Sequence, residues 1–422
     1  MHDVTEPEVP VAIERSPKGP RTTARIVRWS VLAVVLVGIT VIGYLHQALA
    51  IGKPQGVDAL CPFGGLETLA SLFVNGTIIR KIAMSSVVLL AAVLGTAVVF
   101  RRSFCGQICP LGALQEGFGG LGRKLMRGKR LTIPAPVDRV ARFLKYGVLL
   151  GFLSITWATS TLVIRAYDPW VAYMHLTSAE VAEYAFGFGV LAASLVGSML
   201  YDRFFCKYAC PMGAFLGLIS RFSLFKVRRN AETCIDCKLC DHACPVNIEV
   251  SSAEVINSAE CIDCNECVTA CPVKDTLEVS TKGGKRLSPL AVTGAVVAIF
   301  TFVVLLGSAT GGFSITMPSL AQEAGVPTGE NSSDGGVVVD TALIRGSTTW
   351  KEITEATGIP AETITDIFGI PAVDQTLALK DASTIYGVSP GEARAWVELW
   401  QTDRAAAEAY VPGTLLGEDH EE

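Results

Sequence analysis

Charge is scarce in this chain. Only 18% of its 422 residues are Asp, Glu, Lys or Arg, while half are hydrophobic. That argues against an ordinary soluble domain and for a chain folded in lipid. Histidine is scarcer still: of five, His2 and His420 lie in the tails and His242 reads as a surface residue. Residues 310–422 contain no cysteine, so that stretch offers no thiol chemistry. The first apolar run lacks a small-residue cleavage site and exceeds a signal-peptide core, so it is expected to stay as a helix.

Cysteine is plentiful in the middle of the chain. Eight of the thirteen lie in two copies of one motif, offset by 27 residues. The copies are Cys234-Ile-Asp-Cys237-Lys-Leu-Cys240-Asp-His-Ala-Cys244-Pro245 and Cys261-Ile-Asp-Cys264-Asn-Glu-Cys267-Val-Thr-Ala-Cys271-Pro272. A cubane iron–sulfur cluster takes four thiolates, and this is the bacterial two-cluster ferredoxin spacing. Three close sulfurs wrap one cluster; the fourth, turned away before Pro, serves the other. The spacing assigns Cys234, Cys237, Cys240 and Cys271 to one [4Fe-4S] cluster, and Cys261, Cys264, Cys267 and Cys244 to a second. A structural zinc site would use paired Cys-x-x-Cys instead. The repeat itself points to a pseudo-twofold ferredoxin fold.

Five blocks are apolar enough to be read as crossing about 30 Å of hydrocarbon: Trp29–Ala50, Ile82–Phe100, Tyr146–Ile164, Tyr184–Tyr201 and Leu290–Ser308. Lys and Arg number five in residues 1–28, ten in 101–145 and eleven in 201–287, while the alternate segments hold only Lys53, Arg80 and Lys81 in one and Arg165 in the other. By the positive-inside rule the first set is cytoplasmic, which keeps the ferredoxin thiols in a reducing compartment. The expected fold is an α-helical membrane bundle of five transmembrane helices. It carries an inserted α+β bacterial two-cluster ferredoxin module and a small all-α extracytoplasmic domain at the C-terminus. The expected boundaries are a disordered cytoplasmic N-terminus (1–25), a four-helix membrane core (26–201), the ferredoxin module (202–286), a fifth helix (287–309), a linker (310–340) and an acidic helical domain (341–422). The protein is expected in the cytoplasmic membrane, in contact with lipid.

The last of these regions repeats a pattern of helix, Gly stop, Pro restart and helix, at Trp350–Ile367 around Gly358 and Pro360, and at Leu379–Trp400 around Gly387 and Pro390. Paired helices can suggest DNA binding, but 18 acids against five bases in residues 310–422 argue against a nucleic-acid partner. Docking to a partner protein and a purely structural cap both stay open.

A second internal repeat lies in the membrane part. Cys105-Gly-Gln-Ile-Cys109-Pro110-Leu-Gly-Ala113 follows the second block, and Cys206-Lys-Tyr-Ala-Cys210-Pro211-Met-Gly-Ala214 follows the fourth. Arg101-Arg102 with Phe104, and Arg203 with Phe205, precede them. One reading is a third iron–sulfur site at the membrane boundary, ligated by Cys105, Cys109, Cys206 and Cys210. The other is a helix-start device with packed thiols. Cys61, in Leu60-Cys61-Pro62-Phe-Gly64-Gly65, resembles half of this motif on the outer side; it is either a packing residue or one ligand of a shared site. His46, near the outer end of the first block, and His175, in the loop Tyr167-Asp168-Pro169-Trp170-Val-Ala-Tyr173-Met174-His175, offer a polar pair for a quinol head group. Haem ligation and plain interfacial anchoring are the other readings.

Together these residues resemble the membrane polyferredoxins. That family includes the quinol-dehydrogenase subunit of periplasmic nitrate reductase systems, the regulatory ferredoxin of nitrous oxide reduction and oxidase-assembly ferredoxins. The resemblance covers about residues 25–287 and rests on the two Cys-x-x-x-Cys-Pro motifs followed by the ferredoxin repeat, with Leu60–Gly64 and Tyr167–Trp170 also similar. It implies electron transfer between the cytoplasmic clusters and the quinone pool or an extracytoplasmic redox protein, whether flavoprotein, cytochrome or reductase. The chain would then be an electron-transfer subunit of a quinol-dehydrogenase-type oxidoreductase rather than a stand-alone enzyme. The fifth helix, the acidic outer domain and the lack of an N-terminal flavin-binding domain depart from simpler members or from the nitrous oxide regulator. The rival readings are an assembly or metal-reducing factor for a respiratory enzyme, and a redox-sensing regulator.

Overall fold

The computed structural model describes residues 18–49, 54–56, 60–75, 84–127, 133–159, 167–176, 184–316, 339–344, 346 and 348–413. Residues 1–17 of the expected N-terminal tail, 317–338 of the expected linker, and Lys53, Arg80, Lys81 and Arg165 lie outside the described residues. The chain forms two compact units, residues 1–47 with 56–313, and 48–55 with 314–422.

The first unit is built on a duplication. Its first half runs α1 (Lys18–Ala48), α2 (Pro62–Asn75), α3 (Met84–Phe100), α4 (Ser103–Gln107) and α5 (Pro110–Leu125). After a connector helix α6 (Ala135–Ala141), the second half repeats the order as α7 (Leu144–Thr159), α8 (Pro169–Met174), α9 (Ala185–Leu200), α10 (Phe204–Tyr208) and α11 (Pro211–Ile219). Helices α2, α5, α8 and α11 each start on a Pro, whose fixed φ and missing N–H suit the first helical position. The halves exchange partners. Helix α2 packs on α7 as well as on α3, α5 lies along α9, and α11 packs on α7 and α3. Helix α8 meets α1 where the hydroxyls of Tyr173 and Thr40 lie 2.8 Å apart.

Large apolar side chains face outward: Val34 and Val37 on α1, Leu150 on α7, Phe186 and Val196 on α9, and Phe302 and Leu305 on a later helix, α14 (Pro289–Ala309). Polar ones are buried, among them Ser85, Ser86, Thr96, Thr156, Ser194 and Ser198. Several of their hydroxyls donate back to helix carbonyls, as Ser198 does to Ser194 O at 2.7 Å. This inside-out distribution suits a lipid solvent, where polar groups must find partners within the protein. Two helices, over Thr22–Ala48 and Pro289–Ala309, are long and apolar enough to cross a membrane. The helices at the other three apolar blocks, α3, α7 and α9, have 17, 16 and 16 residues, or about 25 Å at 1.5 Å per residue. Among the described residues two helices thus reach the length of a full span where five were expected from the sequence, and residues 76–83 and 160–166, beside α3 and α7, lie outside the described residues.

Between α11 and α14 lies the ferredoxin module. Strand β1 (Lys226–Arg229) pairs antiparallel with β2 (Leu277–Ser280), placing Val227 opposite Val279, and β2 pairs with β3 (Arg286–Leu287). Two one-turn helices, α12 (Leu239–Ala243) and α13 (Glu266–Ala270), follow the cysteine loops. The module joins the bundle directly, since Leu224 and Phe225 donate their N–H groups to Val98 O and Val99 O at the end of α3. Those carbonyls have no acceptor role left inside the helix.

The second unit is a small helical domain: α15 (Trp350–Thr357), α16 (Ala361–Phe368), α17 (Leu379–Tyr386), α18 (Pro390–Thr402) and α19 (Arg404–Glu408). Gly358, Gly369 and Gly387 end the first three of these in the left-handed region, at φ of 73°, 67° and 78°. Its core packs Trp350, Phe368 and Trp396, with Phe368 edge-on to Trp396 at 5.1 Å.

Candidate iron–sulfur centres

The ferredoxin cysteines line two separate pockets. Cys234, Cys237, Cys240 and Cys271 line one, called site I. Cys244, Cys261, Cys264 and Cys267 line the other, called site II. Among the described residues no three His, Cys, Asp or Glu converge as a single metal ion requires. Four sulfurs lining one pocket supply the four thiolates that a cubane cluster takes. The loops also repeat each other in backbone. Asp236 and Asp263 sit at φ 54° and 51°, Lys238 and Asn265 at 56° and 60°. Left-handed residues other than Gly are costly, and their concentration here marks loops shaped for a task.

The two sites differ in exposure. Cys237 is exposed, and Ile235 and Leu239 beside it are 48% and 46% exposed. In site II burial raises the thiols of Cys244, Cys264 and Cys267 above the usual range and pushes Cys261 to about 11. Neighbouring sulfurs push Cys267 the same way, including Cys240 of site I, which brings the two sites into electrostatic contact.

Cys105, Cys109, Cys206 and Cys210, about 100 residues apart in pairs, are brought together by the exchange of helices. Burial raises the thiol pKa of Cys109, Cys206 and Cys210, and each also feels Cys105. The Cys-Pro-x-Gly pattern has a local cause. Cys210 is the N-cap of α11, Pro211 takes the first helical position, and Gly213 N–H donates to Cys210 Sγ at 3.3 Å. Gly112 N–H does the same for Cys109. An arginine from the other half occupies the space beside each of these glycines. A Cβ on Gly112 would lie 2.8 Å from Arg203 Nη1, and one on Gly213 would lie 2.6 Å from Arg102 Nη2. Gln115 of the first half donates to Cys206 Sγ at 3.2 Å and accepts from Phe205 N–H at 3.1 Å.

The charge around these four sulfurs fits an anionic metal–thiolate group. Arg102 and Arg203 are fully buried, and Nε of each has no hydrogen-bond partner among the described residues. Burial would lower both guanidinium pKa values, but Cys105 and Glu260 hold Arg102 above its usual value, and Glu116 and Cys206 do so for Arg203. Glu116 is itself buried, which would raise it, yet Arg203 and Arg28 hold it at about 2.

The four-cysteine site abuts site II. A Cβ on Gly106 would lie 2.2 Å from Ile262 O and 3.2 Å from Cys264 N. Gln107 Nε2 donates to Asp263 O at 2.9 Å, and Arg101 donates to Ile256 O and Ser258 O. These arginines, Gln107 and the acids were not singled out as site residues in the sequence; the only signal was Arg101-Arg102 and Arg203 recurring before each motif.

On the opposite side, Cys61 immediately precedes α2, and Asp168 caps α8 by accepting from Trp170 N–H at 2.8 Å. They occupy corresponding places in the two halves. His175 is buried, stacks on Tyr184 at 4.2 Å and holds Val171 O 2.8 Å from Nδ1. His46 lies on α1 beside Gly56. The two histidines therefore sit on neighbouring elements, α1 and the end of α8.

Comparison with known proteins agrees with this geometry. The 4Fe-4S binding domain family matches residues 82–129 and 185–230, one match for each Cys-x-x-x-Cys-Pro motif, and the 4Fe-4S dicluster domain family matches residues 226–276. YccM of Escherichia coli, which carries a provisional electron-transport designation, is 29% identical over 214 residues, covering 50% of this chain and 59% of YccM. The chain thus spans about three fifths of that relative. Protein MJ0750 of Methanocaldococcus jannaschii is 33% identical over 193 residues, 46% of this chain and 75% of that protein. The ferredoxin-type protein NapH of Haemophilus influenzae is 30% identical over 170 residues, 39% of this chain and 53% of NapH. No solved structure matches the chain. Paired Cys-x-x-x-Cys-Pro motifs and a ferredoxin repeat on one intertwined bundle, with these relatives, place the chain in the NapH/NosR-type polyferredoxin family.

Proposed function

We propose that this protein conducts electrons between the cytoplasm and the quinone pool or an extracytoplasmic redox partner, through three iron–sulfur sites held by twelve cysteines. Cys234, Cys237, Cys240 and Cys271 hold the first [4Fe-4S] cluster, Cys244, Cys261, Cys264 and Cys267 the second, and Cys105, Cys109, Cys206 and Cys210 a third at the membrane boundary. The bundle of α1, α3, α7, α9 and α14 spans the cytoplasmic membrane, with the ferredoxin module inside and the C-terminal unit outside. The observation that carries this reading is the fit of Gly106 against Ile262 and Cys264, which sets the boundary cysteines directly on site II.

Bound clusters supply one-electron storage at each station. The chain's own residues do the rest. Exposed Cys237 gives site I access to a soluble partner, while every cysteine of site II and of the boundary site is buried or half-buried. Gln115, Gly112 and Gly213 donate hydrogen bonds to ligand sulfurs, which favours the reduced, more negative state. The outer arm is proposed to use Cys61, His46 and His175 near a quinol head group, which on oxidation gives up two electrons and two protons.

The test is iron and sulfide analysis with EPR on the purified full-length protein. About twelve irons are expected, falling to about eight in Cys206→Ser. Eight irons in the wild type would remove the boundary site, and a folded, iron-free preparation would end the proposal. Reduction of the protein by added quinol in vesicles tests the outer arm.

A further inference from the structure

The buried charges around the boundary cysteines form two matching triads. In one, Arg203 Nη2 donates to Glu116 at 2.6 Å and Arg28 donates to Glu116 at 2.7 and 2.9 Å. In the other, Arg102 Nη1 donates to Glu260 at 3.3 Å and Lys145 Nζ also bonds Glu260. Each triad is cation–carboxylate–cation. Arg28 and Lys145 come from α1 and α7, the first helices of the two halves, and Arg203 and Arg102 come from the segments that precede each cysteine motif. All four cations are at most 2% exposed and both carboxylates 8%. The cations reach the cysteine loops themselves: Arg203 Nη1 donates to Cys105 O at 2.6 Å and Arg28 Nε to Gly106 O at 2.8 Å.

We infer that the two triads are the charge-compensating shell of the boundary site, and that their carboxylates and cations set its reduction potential. The inference rests on the proposed ligation of the boundary cysteines. Each triad carries one net positive charge, and the carboxylate of Glu266, which also bonds Arg28, is offset by Arg25. Together they match the roughly two negative charges of a doubly positive cubane core held by four thiolates, and net charge is a main determinant of cluster potential. Burial keeps these charges from being screened by solvent or salt. The Arg203 triad also continues to site II: Arg28 Nη1 donates to Glu266 at 2.9 Å, and Glu266 precedes Cys267. Cys264 acts electrostatically on Arg203.

Potentiometric EPR titration of full-length variants tests this. Glu116→Gln and Glu260→Gln each remove a negative charge and are expected to raise the boundary midpoint potential. Lys145→Gln removes a positive charge and is expected to lower it. Site I is expected to keep its potential in all three, as it is in Glu249→Gln, an exposed control. A merely structural role would move stability in one direction without opposite shifts in potential. Unchanged boundary potentials, equal shifts at site I, or loss of boundary iron in all three variants would each overturn the inference. Failure of the underlying ligation reads differently: the wild type would then hold about eight irons and Cys206→Ser would change nothing.

Discussion

Gly106→Ala is the sharpest perturbation of the contact between the boundary site and the ferredoxin module. The added Cβ would lie 2.2 Å from Ile262 O, where ordinary contact begins at 3.4 Å, so more than an ångström must be found. Neither wall gives easily. Ile262 is 1% exposed, Asp263 O is held by Gln107 at 2.9 Å, and Gly106 O is held by Arg28 at 2.8 Å. Overpacking at such a site costs about 1–3 kcal/mol, a factor of about 5 to 150 in the ratio of docked to undocked module. The measurements are the rate of electron exchange between reduced site II and the boundary site after a flash of reductant, and limited proteolysis of the module. Slower exchange and faster cleavage are expected, with site I iron retained. Gly117→Ala is the control: its Cβ meets nothing within 4 Å, and in a helix Ala is favoured over Gly by about 1 kcal/mol. A Gly106→Ala protein with wild-type exchange rate and wild-type protease resistance would refute the argument that this contact is the junction.

Other outcomes follow from the same structure. Glu116 titrates near 2 when folded, against 4.5 ordinarily; its folded pKa is depressed, so its contribution of about 3 kcal/mol is full above pH 4.5 and is lost as pH falls towards 2. Acid denaturation followed by circular dichroism should therefore be less steep over that window in Glu116→Gln. Trp396→Ala removes a fully buried indole that donates to Ala407 O at 3.1 Å, and should destabilise the C-terminal unit by about 3–5 kcal/mol while iron content stays unchanged. Thr349 and Glu352 form a capping box at the start of α15, so Thr349→Ala should cost about 1 kcal/mol in the same unit, read as a lower thermal midpoint.

The apolar blocks of the sequence coincide with α1, α3, α7, α9 and α14, because long uninterrupted apolar runs leave helix as the one way to satisfy the backbone. Helices α2 and α8 were invisible. At 14 and six residues, they are too short to read as spans. The grouping of the ferredoxin sulfurs was legible because their loops are local in sequence and repeat at 27 residues. The meeting of Cys105 and Cys109 with Cys206 and Cys210 was suggested by repetition but depends on α5 lying along α9, a tertiary exchange that no local pattern encodes. The acids were harder still. Glu116 follows Gln115 in a run otherwise of glycines and apolar residues, and Glu260 comes from a different module, so neither belongs to a motif.

That last asymmetry explains how a twofold bundle carries a single ferredoxin. Cys105, Gly112 and Glu116 of the first half correspond to Cys206, Gly213 and Gly217 of the second, each 101 residues on. Where the first half places a carboxylate against Arg203, the second has Gly217, and Ala259 O passes 3.4 Å from where its Cβ would be. The ferredoxin loop fills the missing position with Glu260, which completes the second triad on Arg102 and Lys145. A glutamate at 217 would put two carboxylates against one arginine and block the loop's approach, while a glycine at 116 would leave Arg28 and Arg203 as facing buried cations. The one-sided acid of this duplicated frame leaves one docking face, and the loop that fills it brings Cys264 N against Gly106, next to Cys105. The proposed path inward from the exposed sulfur of Cys237 therefore runs in the order site I, site II, boundary, since no other described cysteine is exposed and site II lies against both of its neighbours.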